Sequence, residues 1–311
     1  MNDHLILHHY GGSPFAEKAR LMLGYKGLAW KSVQIPVIMP KPDLTALTGG
    51  YRRTPVLQIG ADIYCDTSLI ARVLETLAPQ PTLFPAAAPL APLLAQWIDF
   101  TLFWAVIVHT MQPAGMANIF QGVPPEVVKA FGADRAPFSA GLRRPTPGDA
   151  TATLHNAFDA FEAQLSDGRR CLFGELPCIA DFSLAHNGWY VRRGGAEVAQ
   201  VIESRPLLNA WLDRMLAIGH GSAERLKSTD ALNAAAQAAG RAPASVMPGL
   251  GFDAGQSVTV AANDYGMDTV AGTLVGLDYN EVVLSRHDDR AGQVHVHFPR
   301  RGFQIKKDQQ T

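Results

Sequence analysis

At 311 residues the chain is longer than one ordinary hydrophobic core fills, so two or three domains are expected. Its 47% hydrophobic and 18% charged content excludes a disordered polymer, and a net charge of −1 argues against long-range attraction to nucleic acid or an anionic membrane. Three cysteines (Cys65, Cys171, Cys178) form no CxxC pair, which argues against a disulfide framework or a zinc set and fits a reducing, cytoplasmic compartment.

The first residues lack a basic segment followed by a long apolar run, so no signal peptide is expected. Residues 4–10 read as a strand ended by Gly11-Gly12. Ser13 then stands as N-cap and Pro14 as first residue of a helix carrying Phe15, Ala19, Met22 and Leu23 at helical spacing. A second strand covers 30–35. Pro36, Pro40 and Pro42 preclude a long helix after it. A hairpin follows over 55–59 and 62–65, and Asp66-Thr67 caps a helix ending before Pro79. This order describes a small α/β sandwich.

The Pro- and Ala-rich stretch 79–92 reads as a linker, followed by helical patterns as far as Gly240, with Ala231–Ala239 as a helix tail. The most apolar segment, 93–111, carries Gln96, Asp99 and His109 and falls short of ~20 uninterrupted apolar residues, so it is expected as a buried helix. Residues 112–149 are rich in Pro and Gly; only 126–131 resembles a short helix, and the connection is either a lid or an insertion. After Gly240, five short strands are expected at 256–262, 269–278, 281–287, 293–298 and 302–307. Their tight turns suit a small SH3-like barrel, with Tyr265, Phe298 and Phe303 in its core.

Four local patterns bear on chemistry. Ser13 sits at a helix start, among free N–H groups and the positive end of the helix dipole. A thiol brought there would be stabilised as the nucleophilic thiolate, and lowering its pKa from ~8.5 to near 7 takes only about 2 kcal/mol. Taken alone, Ser13 is also an ordinary N-cap. Arg53-Thr54-Pro55 opens a strand, where a cis proline would turn the Thr54 backbone outward to pair with a peptide-like ligand. Asp66-Thr67-Ser68 offers a carboxylate for an ammonium group, with hydroxyls and helix N–H groups for a carboxylate. Residues 173–182 precede an apolar helix starting near Asp181.

Together SPFAEKARLML, RTPVLQIG, DTSLIARVLE, FGELPCIADFSLAH and RPLLNAWLDRM, in this order, resemble the cytosolic glutathione transferase superfamily over residues 4–230. The resemblance implies a thioredoxin-like domain at 1–80, an all-helical domain at 88–240, a homodimer, and detoxification chemistry. The small all-β domain, 248–311, has no counterpart in an ordinary transferase. Glutathione is the implied co-substrate, joined by a small hydrophobic electrophile, with no metal, nucleic acid or membrane partner. By the resemblance Ser13 activates the thiol, with Tyr10 as second choice. Thr54 and Pro55 pair with the cysteinyl backbone, and Asp66 and Thr67 hold the γ-glutamyl end. Lys41, or else Arg52 or Arg53, meets the glycyl carboxylate.

By the resemblance the co-substrate pocket lies at Tyr10, Phe15, Phe103, Trp104, Ile107, Val108 and Met111; the last five form a stripe at helical spacing that more often belongs to a core. The SPF motif resembles the CPF of omega-type members with Ser for Cys, which removes the thiol needed for a mixed disulfide and favours conjugation. Cys178 stands where the family has a Ser or Thr cap. His109 reads as a satisfied histidine, and His295 with His297, alternating on one strand face, lacks a third metal ligand. The competing readings are a non-catalytic glutathione-binding scaffold, whose β-domain contacts a partner, and a dehalogenase or ether-cleaving enzyme. The β-domain itself is expected to pack against the transferase body or a second subunit.

Overall fold

The computed structural model describes residues 4–238, 240 and 245–308; Ala239, part of the expected helix tail, lies outside them. The first unit is Leu5–His9 (β1), Pro14–Tyr25 (α1), Ala29–Gln34 (β2), Pro42–Thr48 (α2), Val56–Ile59 (β3), Asp62–Cys65 (β4) and Thr67–Leu77 (α3). β1 runs parallel to β2 and antiparallel to β3, which pairs with β4. Its order β-α-β-α-β-β-α is thioredoxin-like, as expected. The alternation of apolar residues decides how the layers stack: Leu5, Leu7, Leu57 and Ile59 face one core, while Ile6, Val56, Ile63 and Cys65 face another.

The stretch 79–90 forms turns rather than a free tether, since Lys26 Nζ donates to the carbonyls of Ala78 (2.6 Å) and Pro81 (2.7 Å). The helical unit follows as Ala91–Trp97 (α4), a π-helical turn at Ile98–Leu102, Phe103–Thr110 (α5), Pro113–Ile119 (α6), Pro125–Phe138 (α7), Pro147–Gln164 (α8), Ile179–Arg193 (α9), Ala196–Glu203 (α10) and Pro206–Leu216 (α11). The continuous helix Ala91–Thr110 is long and apolar enough to cross a membrane. It packs on α8 and α9, and Asp99 at its centre is paired with the buried Lys18. Residues 112–149 hold more helix than the sequence suggests, because Pro113, Pro125 and Pro147 stand in the first turns of helices, where a missing N–H costs nothing.

Two further findings depart from the sequence. Ser222–Arg225 is a strand (β5), parallel to β2, inside a segment read as helical. Every residue of it is exposed, so it carries no apolar periodicity. Ser228–Gln237 (α12) then buries Ala231, Leu232 and Ala235 in the second core, against α2 and β2. The C-terminal strands Ser257–Ala262 (β6), Val270–Leu277 (β7), Glu281–Asp288 (β8), Gly292–Pro299 (β9) and Phe303–Lys307 (β10) form within two residues of their expected bounds. They do not close an SH3-like barrel. β9 instead pairs in parallel with β4, giving one ten-stranded sheet in the order β10-β6-β7-β8-β9-β4-β3-β1-β2-β5. The reason lies in the core: Val258, Leu274, Leu284, Val296 and Phe298 share the second cluster with Ile6, Val33 and Leu47. Phe298 and Phe303 are core residues as expected; Tyr265 points elsewhere.

A buried histidine pins this junction. His297 Nε2–H donates to Asp62 Oδ1 of β4 (3.0 Å), and Nδ1–H donates to Glu281 Oε1 of β8 (2.6 Å). His295 Nδ1 lies 3.6 Å from the same Asp62 oxygen. Burial pulls the His297 pKa down, but the two carboxylate bonds outweigh it and the net shift is upward. A pKa raised on folding gives stability that is complete below the unfolded value of about 6.5 and is lost as pH rises through the folded value. Calorimetric scans between about pH 6 and 9 should therefore show the unfolding temperature falling with pH, and a weaker fall in His297→Gln. Equal slopes in the two proteins would remove His297 as the titrating group.

Candidate functional site

Ser13 caps α1: its Oγ accepts the N–H of Ala16 at 3.2 Å, and its own N–H donates to the Tyr10 carbonyl at 3.2 Å. The residue is buried, and its hydroxyl proton has no acceptor among the described residues. Tyr10 ends the strand beside it, its hydroxyl accepting from Arg135 of α7 at 3.3 Å.

The peptide bond between Thr54 and Pro55 is cis, as anticipated. Thr54, Pro55, Asp66 and Thr67 all line one cleft of about 1070 Å³ between the α/β unit, the helical unit and the C-terminal strands. Asp66 has φ 74°, the one non-glycine residue with positive φ among those described. Such a backbone costs about 1–3 kcal/mol and persists where the surroundings enforce it, frequently at functional sites. Its Oδ1 accepts from the N–H (2.9 Å) and hydroxyl (2.7 Å) of Ser68, fixing the carboxylate at the head of α3.

Lys41 stands behind Thr54. Its Nζ donates to Thr54 Oγ1 at 3.4 Å and lies 5.7 Å from the centre of the Tyr10 ring. Burial, with the nearby Arg135, lowers its pKa to about 8. Arg52 and Arg53, the alternative cations, are already engaged. Arg52 pairs with Asp134 at 2.9 Å, and Arg53 pairs with Asp264 and with the Tyr265 carbonyl.

The residues expected at the co-substrate pocket lie in different surroundings. Phe15 lines the cleft, but Phe103 and Trp104 are buried beneath Tyr265, which reaches in from the loop between β6 and β7. Ile107 and Val108 pack into the helical core, and Met111 accepts a hydrogen bond from the Tyr190 hydroxyl at 3.5 Å. None of these three lines the cleft. His109 is satisfied, facing the Thr151 hydroxyl (3.2 Å) and the Val198 carbonyl (3.4 Å). In their place the π-helical turn presents Asp99, Phe100 and Thr101 to the cleft. Lys18 Nζ donates to Asp99 Oδ2 (2.5 Å) and His186 Nε2–H to Oδ1 (3.1 Å), which lowers the Asp99 pKa although the residue is half-buried. Only the polar interruption at Asp99 was visible in the sequence. Nothing local pointed to Tyr265, which meets Arg53 across more than two hundred residues. Among the described residues no group of three or more His, Cys, Asp or Glu is placed to hold a metal ion.

A thioredoxin-like sheet with a cis proline and a helix-capping acid, facing an all-helical unit, is the architecture of glutathione transferases. Family models for the glutathione S-transferase N-terminal domain and C-terminal domain match residues 7–82 and 126–214. A GST-like protein from Pseudomonas syringae is 43% identical, with a TM-score of 0.82, over 98% of this chain and 100% of its own. The chain belongs to the glutathione S-transferase family. More distant structures share the fold alone: a glutathione S-transferase from Rhodospirillum rubrum F11 (20% identity, TM-score 0.52, 68% of this chain and 88% of that one) and the beta-etherase LigF from Sphingobium sp. strain SYK-6 (20%, 0.51, 68% and 95%). No curated protein matches the sequence.

Proposed function

We propose that this chain is a glutathione transferase that activates the glutathione thiol for attack on a small hydrophobic electrophile. The observation that carries the reading is that Thr54, Asp66 and Thr67 line one cleft, with the buried Lys41 bonded to Thr54 and Ser13 capping the helix whose Phe15 enters the same cleft. A tripeptide with an ammonium group and carboxylates at its two ends matches that charge pattern. Asp66 offsets the ammonium, the head of α3 with Thr67 receives the adjacent carboxylate, and Lys41 meets the glycyl end. The Ser13 hydroxyl, already accepting from Ala16, has its proton left to donate to a thiolate. Exposed Leu90, Leu93 and Trp97 at helical spacing on and before α4 support self-association of the kind common in this family.

A second reading, a glutathione-binding protein without turnover, draws on Tyr265 covering Phe103 and Trp104, which narrows the room for another substrate. Calorimetry with glutathione, together with turnover of a small aryl halide, separates the two. Binding with conjugation supports the transferase, binding alone supports the second reading, and no binding sinks both.

Lys41 gives a sharper test of the carboxylate site. Its folded pKa of about 8 means the cation is present below that pH and lost above it. S-methylglutathione, which has no thiol to titrate, should therefore bind more weakly as pH rises through 8 and beyond. Lys41→Met should bind it about tenfold more weakly at neutral pH and with a flat profile. Unchanged affinity in the variant would move the glycyl carboxylate elsewhere.

A further inference from the structure

We propose, resting on the glutathione reading above, that Tyr265 of the C-terminal β region is the side chain that limits the size of the group the site accepts at the glutathione sulfur. The loop between β6 and β7 is the only part of that region whose aromatic side chain joins the aromatic cluster of Phe103, Trp104 and Phe15 among the described residues. The Tyr265 ring meets Trp104 edge-on at 5.2 Å and Phe138 of α7 at 5.3 Å, and stacks on Phe103 at 6.5 Å. It lines the same cleft as Thr54 and Asp66. Arg53, immediately before Thr54, holds it from the other side: the guanidinium lies 4.0 Å from the ring centre and donates to the Asp264 carboxylate and the Tyr265 carbonyl.

These anchors make the loop a fixed wall. Asn263 N–H donates to the Gly302 carbonyl at 3.1 Å, and Gly266 N–H donates to the Phe138 carbonyl at 2.7 Å. A side chain at Gly266 would meet Phe138 at 2.7 Å, and φ there is +54°, so the close approach requires glycine. The aromatic surface that would otherwise receive a flat co-substrate is thus occupied by a residue tied to all three parts of the chain. The cleft continues past the ring beside Phe15, Asp99 and Phe100, so a group carried there meets Tyr265. The appended β region is therefore a component of the substrate site, in addition to extending the sheet.

The test uses the full chain and needs no turnover. Affinities for S-methylglutathione and for S-(naphthylmethyl)glutathione are measured by calorimetry on wild type, Tyr265→Ala, Tyr265→Leu and Tyr265→Phe. Removing the ring should tighten binding of the naphthyl conjugate about tenfold in Tyr265→Ala, less in Tyr265→Leu, and leave S-methylglutathione within about twofold. Tyr265→Phe keeps the ring and should match wild type for both ligands. Unchanged naphthyl affinity in the Ala and Leu variants, with S-methylglutathione still bound, would overturn the proposal. So would a Phe variant that behaves like the Ala variant, since the hydroxyl would then be responsible. If wild type fails to bind S-methylglutathione at all, the glutathione reading itself falls. Should Tyr265→Ala fail to fold, the Leu and Phe variants carry the comparison.

Discussion

Asp181→Ala is expected to lower the unfolding free energy by about 4 kcal/mol, enough to drop the unfolding temperature by roughly 6 °C. Asp181 is fully buried at the start of α9 and serves four donors. Oδ1 accepts from the Leu172 N–H (2.8 Å) and the Trp211 indole (3.1 Å), and Oδ2 accepts from the Cys178 N–H (2.9 Å) and its thiol (3.2 Å). Alanine leaves all of these donors without an acceptor in a site closed to water, and each such group costs about 1–3 kcal/mol. The same geometry explains why Cys178 stands where a hydroxyl cap is usual in the family: its thiol bonds the Asp181 carboxylate, which in turn caps the Cys178 N–H. Thermal unfolding followed by calorimetry checks the figure, and a loss below about 1 kcal/mol would mean that water reaches these donors.

Ser13→Ala should reduce kcat/KM for conjugation about 10²-fold or more, the scale on which removing one preorganised donor to a developing or standing anion acts. Loss of the N-cap costs only about 1 kcal/mol of stability, so assays well below the unfolding temperature isolate the chemical effect. The affinity for S-methylglutathione, which presents no thiolate, should be nearly unchanged. Retained kcat/KM would assign thiol activation to another group, with the Tyr10 hydroxyl the nearest alternative; it is already engaged by Arg135.

Much of the fold was legible because it is written locally. The Ser13-Pro14 start of α1, the Asp66-Thr67 start of α3 and the alternating strands β6 to β10 each rest on a few neighbouring residues. β5 was illegible because four exposed residues have no periodicity to read. α6 was hidden, and α7 was read only over 126–131, because a stretch rich in Pro and Gly reads as irregular although proline suits a first helical turn. Barrel closure was the wrong expectation because closure is decided by a partner far away. The β4–β9 pairing sets Asp62 opposite His295, and no short-range pattern encodes that register. The site divides the same way. Thr54, Pro55, Asp66 and Thr67 belong to compact motifs and share the cleft, whereas Phe103 and Trp104 were assigned from the family's helix position, on a stripe whose spacing suits a core. That spacing cannot reveal that an aromatic from the C-terminal region covers them.

The proposed role of Ser13 is to lower the pKa of the bound glutathione thiol. An ultraviolet pH titration of bound glutathione, on wild type and on Ser13→Ala, tests it most directly. The expected result is a thiol pKa clearly below that of free glutathione in wild type and a return towards the free value in the variant. An unshifted pKa in wild type, with glutathione bound, would contradict it.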